Sequence, residues 1–201
     1  LYFSGFSGTD GIADPTQWDN SGSNDVGAGF INMSTQYSGS EDLVGLGVYQ
    51  GRVAAFSRRS VQIWNVDPDP DQNLPYQVLL NVGSIAPNSI IEYGDLDIFF
   101  LSESGVRSLR ARDSSNLASA NDVGVAIDAD INRYVASIDR RSVREAKAVV
   151  EPENSRYLLA IGERVYVFSN FPGSQVAAWS TYDLSAPVED WAVAQSRLYA
   201  R

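Results

Sequence analysis

Short apolar runs broken by small or charged turn residues recur along this chain. Val53-Ala54-Ala55-Phe56-Ser57 passes through Arg58-Arg59-Ser60 into Val61-Gln62-Ile63-Trp64. Leu96-Asp97-Ile98-Phe99-Phe100-Leu101 passes through Ser102-Glu103-Ser104-Gly105 into Val106-Arg107-Ser108-Leu109. Tyr157-Leu158-Leu159-Ala160-Ile161 turns at Gly162-Glu163 into Arg164-Val165-Tyr166-Val167-Phe168, and Trp191-Ala192-Val193-Ala194 turns at Gln195-Ser196 into Arg197-Leu198-Tyr199. Runs of this length, rich in β-branched and aromatic residues and bounded by turn formers, predict antiparallel hairpins. One stretch has a different period. Ile127, Ile131, Tyr134, Val135 and Ile138 fall on one helical stripe, which predicts a short helix near 127–138, with Asp128 or Asn121 placed to cap its start.

The hairpins repeat as a unit of strand, Gly-containing turn, strand, turn and strand. Units starting near Gly47 and Ile91 are spaced like a four-stranded propeller blade of about 40–50 residues. The next unit, starting near Leu158, comes about twenty residues late by that measure, and the predicted helix accounts for the delay. The expected fold class is mainly β: a partial β-propeller of short antiparallel strands with one inserted helix, residues 1–201 being a segment of a single propeller domain. Three stretches read as loops: Gly5–Phe30, Asp67–Pro75 and Asp113–Ala120. Both ends fall inside strand-like runs, Leu1-Tyr2-Phe3 and Arg197-Leu198-Tyr199, so the expectation is a piece of a longer polypeptide.

Composition narrows the chemistry. The chain has 201 residues, 44% of them hydrophobic, enough for a substantial core, and no apolar run long enough for a membrane helix. Cysteine and histidine are both absent. That removes disulfides, thiolate nucleophiles, Ser-His and Cys-His catalysis and the usual zinc ligand sets. The net charge of −10 is unevenly placed: residues 1–100 hold three arginines against twelve acids, while residues 101–201 hold twelve bases against thirteen acids. A surface this acidic repels phosphate backbones, so DNA would pass it without specific binding.

The remaining candidates are weighed one by one. Asp67, Asp69, Asp71 and Asn73 space oxygens like half a calcium loop, but the loop glycine and distal glutamate are missing and Pro68 and Pro70 stiffen the backbone. Asp10, Asp14, Asp19 and Asp25 supply carboxylates for a glycosidase-like pair, without any spacing that pairs two of them. Gly22–Gly29 and Ser38-Gly39-Ser40 lack the Gly-Lys-Ser/Thr of a phosphate loop. Arg58-Arg59 and Arg140-Arg141 read as surface or turn features, or as anchors to an acidic neighbour. Trp18, Trp64, Trp179 and Trp191 offer stacking faces for sugars or bases and, more simply, rings that fill the space between sheets. Arg107, Arg110 and Arg112 are the only arginine cluster, alternating along one strand-like stretch. The expected site assignment is therefore empty: no catalytic residue, no cofactor and no metal.

Four stretches in order resemble a known family. They are Leu1-Tyr2-Phe3-Ser4-Gly5 with Asp14-Pro15-Thr16-Gln17-Trp18; Leu46-Gly47-Val48-Tyr49-Gln50-Gly51-Arg52-Val53-Ala54-Ala55-Phe56 running into Val61-Gln62-Ile63-Trp64; Gly83-Ser84-Ile85-Ala86-Pro87-Asn88-Ser89-Ile90-Ile91; and Ile98-Phe99-Phe100-Leu101-Ser102-Glu103-Ser104-Gly105-Val106. This set, spanning the first half of the chain, resembles the β-propeller tail proteins of short-tailed bacteriophages (packaged-DNA stabilisation, tail tubular B or nozzle proteins). The resemblance implies a non-enzymatic virion structural protein, located in the phage tail. It implies a homo-oligomeric ring, typically a hexamer, below the head-to-tail adaptor and beside other tail proteins. It also implies a channel that retains the double-stranded genome and lets it out at ejection. Two alternatives stay open beside it: a propeller protein-interaction module, and a glycan-hydrolase propeller that would need an arginine cluster such as Arg107, Arg110 and Arg112.

Overall fold

The computed structural model describes residues 2–3, 6–7, 25–26, 29–33, 41–67, 72–94, 97–114, 122–151, 153–171 and 176–201. The protein is mainly β, a series of small antiparallel sheets with a few short helices. Near the start, β1 (Tyr2–Phe3) pairs with β4 (Gly29–Phe30), and β2 (Phe6–Ser7) pairs with β3 (Asp25–Val26). Four further sheets follow in chain order. The first joins β5 (Leu43–Tyr49), β6 (Arg52–Ser57), β7 (Ser60–Asn65) and β8 (Leu74–Leu80) as a meander. The second joins β9 (Ile91–Glu92), β10 (Ile98–Ser102) and β11 (Gly105–Ser108). Three helices come next: α1 (Leu109–Ser114), α2 (Asp128–Ser137) and α3 (Arg140–Arg144). The third sheet is a meander of β12 (Lys147–Glu151), β13 (Arg156–Ile161), β14 (Arg164–Phe171) and β15 (Val176–Asp183), and the fourth is the hairpin β16 (Trp191–Ala194) and β17 (Arg197–Ala200).

The predicted hairpins are all present, and the predicted helix near 127–138 is α2. Its start differs from expectation. Ile127 occupies the cap position with no side-chain cap, and Asp128 lies inside the first turn, where it serves a distant arginine. Asn121 lies outside the described residues. The repeat also had a different phase. The first strands of the four sheets begin at Leu43, Ile91, Lys147 and Trp191, a beat of roughly fifty residues. The unit read from Leu158 belongs to the second and third strands of its sheet, so the true first strand, β12, was missed. The loop expected at Gly5–Phe30 contains the short strands β2, β3 and β4 among its described residues. The one at Asp67–Pro75 ends in the start of β8, and Asp113 belongs to α1.

Side-chain alternation stacks the sheets face to face. Along β10, Ile98 and Phe100 join a core with Tyr49, Ala54, Phe56, Val61, Ile63 and Leu79 of the first sheet. The intervening Phe99 and Leu101 point the other way, into a core with Tyr157, Leu159, Ile161, Tyr166 and Phe168 of the third sheet. Leu158, Ala160, Val165 and Val167 cover that sheet's far face and pack against Trp191 and Leu198 of the hairpin. Strand period two thus gives each internal sheet two apolar faces, which explains why β10 and β13 read as nearly unbroken hydrophobic runs. Aromatic rings fasten the interfaces: Phe56 meets Phe100 edge-on at 5.0 Å between the first two sheets, and Phe99 meets Tyr157 at 5.3 Å and Phe168 at 5.9 Å between the next two.

The first strands of successive sheets adjoin, β5 to β9, β9 to β12 and β12 to β16. No comparable contact among the described residues joins their last strands, β8, β11 and β15. Among the described residues the series is open and does not close on itself.

Candidate functional site

The arginine cluster is the natural place to look for chemistry, and the structure takes it apart. Only Arg107 lies in a strand. The chain leaves β11 at Ser108 and turns into α1, which carries Arg110 and Arg112, so the three do not alternate along one strand. Ser108 explains the switch. Its Oγ accepts the Ala111 N–H at 3.1 Å and donates to Asp97 Oδ2 at 2.6 Å, while Asp97 Oδ1 accepts the N–H groups of Arg110 at 3.0 Å and Ile98 at 2.7 Å. Two side chains therefore cap the first turn of α1. Desolvation raises the Asp97 carboxyl above its ordinary value, partly offset by these hydrogen bonds.

Arg107 is 5% exposed, and both terminal nitrogens of its guanidinium are engaged by the protein. Nη1 donates to Asp128 Oδ1 at 2.8 Å and Nη2 to Asp128 Oδ2 at 2.8 Å, a two-pronged pair with the first turn of α2. The same nitrogens donate to the backbone oxygens of Val106 at 2.7 Å and Ser104 at 2.6 Å. Nε faces Asp122 Oδ2 at 3.7 Å, an ion pair too long for a hydrogen bond. Asp122 has a fully buried side chain, and its Oδ1 accepts the N–H groups of Ser108 at 2.9 Å and Val123 at 2.8 Å. Gly105, at φ +121°, leaves room for the pair, since a Cβ there would lie 2.1 Å from Asp128 Oδ1. The centre ties β11, the 122–123 turn and α2 together. It presents no free arginine face to an anionic sugar.

A second polar knot fixes the way from the first sheet to the second. The Ser84 N–H donates to Ser57 O at 3.0 Å and the Ile85 N–H to Leu101 O at 2.9 Å. Ser89 Oγ donates to Ala86 O at 2.7 Å and accepts the Leu101 N–H at 3.0 Å. Gly83 passes so close to the β6–β7 turn that a Cβ would lie 2.2 Å from Ser57 O. This is the stretch Gly83–Ile91 singled out in the sequence; its small residues serve an inter-sheet crossing.

Where the first strands meet, a cleft of about 350 Å³ opens between Pro87, Asn88, Ile90, Lys147, Asp190 and Trp191. Lys147, the chain's only lysine, donates from Nζ to the Glu189 backbone oxygen. The Trp191 indole N–H donates to Lys147 O at 3.1 Å, and the Val48 N–H donates to Glu92 Oε1 at 3.2 Å, so side chains stitch neighbouring first strands.

The other sequence candidates are dispersed. Asn73 Oδ1 accepts the Asp67 N–H at 2.8 Å and closes its turn; Asp69 and Asp71 lie outside the described residues. Among the described residues no cluster of three acidic side chains suits a metal ion. Asp10, Asp14 and Asp19 lie outside the described residues, as do Trp18 and Ser38-Gly39-Ser40; Asp25 sits in β3, and most of Gly22–Gly29 is likewise undescribed. Arg58 and Arg59 bridge to Glu103 on the next sheet at 2.6 and 3.8 Å, and Arg141 pairs with Glu145 within α3 at 2.7 Å. The described tryptophans are engaged by packing and hydrogen bonds: Trp64 donates to Gln62 Oε1 at 3.2 Å and Trp179 to Val123 O at 2.8 Å. Among the described residues no helix is long and apolar enough to cross a membrane.

Sequence reasoning missed Asp122 and Asp128 as partners of Arg107. Nothing local marks them, because the pairing joins residues brought together only by the fold. No protein-family model matches the chain, and no curated protein matches its sequence.

Proposed function

We propose that the chain is an arc of a β-propeller and acts as a structural, non-catalytic subunit of a bacteriophage tail ring. The observation that carries this reading is the serial packing of four sheets with their first strands adjoining. Sheets fanned about their first strands are how propeller blades surround an axis. The locked arginine centre supports a structural role, because Arg107 is spent on Asp128 and Asp122 instead of being held ready for a ligand. The acidic balance of the first half suits a wall that DNA slides past. In this reading copies assemble into a homo-oligomeric ring, a hexamer by the resemblance, beneath the head-to-tail adaptor, and the ring forms part of the channel that retains and releases the genome.

Immunogold labelling of purified virions with an antibody to this chain tests the proposal. Gold at the tail, with one constant copy number per particle by quantitative mass spectrometry, is the expected result. Particles that lack the chain, or turnover of a glycan by the purified protein, would overturn it.

A further inference from the structure

Of the last strands in the four sheets, β15 has the most open edge. An edge strand offers unpaired backbone groups as a template for another strand, and folded chains ordinarily shorten or block it. β8 is interrupted by Pro75 and by a register shift against β7. β11 and β17 have four residues each; β11 runs into α1, and β17 opens on Arg197. β15 has eight residues, no proline and no lysine, and it pairs with β14 without a register shift. Along it Ala177, Ala178, Ser180, Thr181, Tyr182 and Asp183 are exposed, and Trp179 is half-buried. The Leu184 N–H donates to Glu163 O at 2.8 Å, which sets the alternation of the antiparallel ladder. Ala178, Ser180 and Tyr182 therefore turn their N–H and C=O groups toward β14. Ala177, Trp179, Thr181 and Asp183 turn theirs outward, where among the described residues no group bonds to them.

We propose that the β15 strands of two copies pair edge to edge, antiparallel, about a two-fold axis at Ser180, making one continuous sheet across both chains. The occupant follows from the strand's own symmetry, size pattern and charge. The outward residues are spaced evenly about Ser180, so in this register Ala177 lies opposite Asp183 and Trp179 opposite Thr181, and every outward group of residues 177–183 finds a partner. A displaced register leaves some of them unpaired. Large meets small: Tyr182, 51% exposed, lies across from Ala178, and Ser180 faces its own copy. The chain carries a net charge of −10, yet β15 holds a single charge, Asp183, which Arg164 Nε meets at 2.6 Å. The two copies of Asp183 stand about 20 Å apart in this pairing, well beyond the screening length at physiological salt. A different partner strand would need the same neutral alternation of small and large residues that β15 itself supplies. The contact is isologous and closes at two copies. It goes beyond the proposed ring, which needs a head-to-tail contact.

Disulfide trapping in the full 201-residue chain tests it, since the chain has no cysteine of its own. Facing even-numbered residues form non-hydrogen-bonded pairs with Cα atoms about 4.5 Å apart, within reach of a disulfide. Ser180→Cys should therefore cross-link to a dimer on mild oxidation. Ala178→Cys and Tyr182→Cys should each stay monomeric alone and cross-link when mixed, because these two positions face each other. Sedimentation velocity should show the wild type passing from monomer to dimer with rising concentration. Thr181→Pro removes an outward N–H and spares the ladder to β14; it should weaken the dimer about tenfold, since by symmetry two hydrogen bonds are lost. Ser180→Lys sets like charges face to face at an exposed position and should weaken it similarly, and mixing that variant with Ser180→Glu should restore dimers. A wild-type chain monomeric throughout overturns the inference, as does cross-linking of Ala178→Cys alone as readily as Ser180→Cys. Association indifferent to both Thr181→Pro and Ser180→Lys, or a monomeric chain whose β15 pairs only with another protein, overturns it equally.

Discussion

Replacing Arg107 by methionine is the sharpest test of the idea that the arginine centre is a lock. The side chain is nearly fully buried and donates four hydrogen bonds, two of them to Asp128. Asp122, with no exposed side-chain surface, would keep a buried charge facing a thioether. Breaking a buried pair from one side costs about 3–5 kcal/mol, chiefly because the partner stays desolvated and uncompensated. Summing four charge-assisted hydrogen bonds at about 1.5–3 kcal/mol each would overshoot, since they share one guanidinium and are not independent. At this chain length each kcal/mol moves the melting temperature by about 2–4 °C, so a loss on the order of 10 °C is expected. Urea denaturation followed by tryptophan fluorescence gives the free energy directly. Arg107→Lys keeps the charge but not the planar fork that meets Asp128, and should fall between wild type and methionine. Arg107→Met with Asp128→Leu removes both partners and should recover part of the loss. A cost for Arg107→Met below about 1 kcal/mol, the range of a surface pair, would refute the reasoning.

Further predictions follow from single features. Gly83→Ala forces a Cβ into the backbone of the β6–β7 turn, and a cost of about 3 kcal/mol in urea denaturation is expected, while an alanine tolerated at no cost would contradict the close crossing. Tyr157 has a buried hydroxyl without a hydrogen-bond partner among the described residues, and burial holds that phenol well above its ordinary pKa. Tyr157→Phe should therefore raise stability, by about 1 kcal/mol, in the same assay. Glu151 accepts from Arg156 Nε at 2.6 Å and Nη2 at 2.9 Å, and Arg156 holds its carboxyl below the ordinary value of 4.5. A depressed folded-state pKa contributes stability above the unfolded value and loses it as pH falls through the folded one. Glu151→Gln should accordingly lower the melting temperature at pH 7, with the gap to wild type closing under acid conditions.

The hairpins were legible because their strands lie between two layers. Val53-Ala54-Ala55-Phe56 and Ile98-Phe99-Phe100-Leu101 are apolar at every step, and Ala54 to Phe56 and Ile98 to Leu101 are buried whichever face they point to. Strands at sheet margins were harder to see. In β5, Gly45 and Gly47 interrupt the run because a Cβ at either would press on Ile90 or Ile98, so close sheet approach erased the hydrophobic signal. In β12, Lys147 opens a half-buried strand that mixes charge with small apolar residues. The phase error in the third unit came from like turns. Gln50-Gly51, Gly162-Glu163 and Gln195-Ser196 each begin at positive φ and precede an arginine and an aliphatic residue, though the second joins different strands of its sheet. Helix α3 is five residues long, too short for a periodic pattern, although its cap is written locally: Asp139 accepts the N–H groups of Arg141 and Ser142. The arginine centre was unreadable for another reason. Arg107, Arg110 and Arg112 sit within six residues of a stretch that reads as strand, and only the capping by Ser108 and Asp97 turns the chain into a helix between them.

Distances between paired spin labels test the radial arrangement of sheets most directly. The chain has no cysteine, so labels can be placed at will. One pair, at Val48 and Lys147, reports on the first strands of the first and third sheets; the other, at Leu80 and Tyr182, reports on their last strands. Double electron–electron resonance on both pairs should give a shorter distance for the first-strand pair than for the last-strand pair, as blades fanned about an axis require. Equal distances, or a longer first-strand distance, would contradict the account.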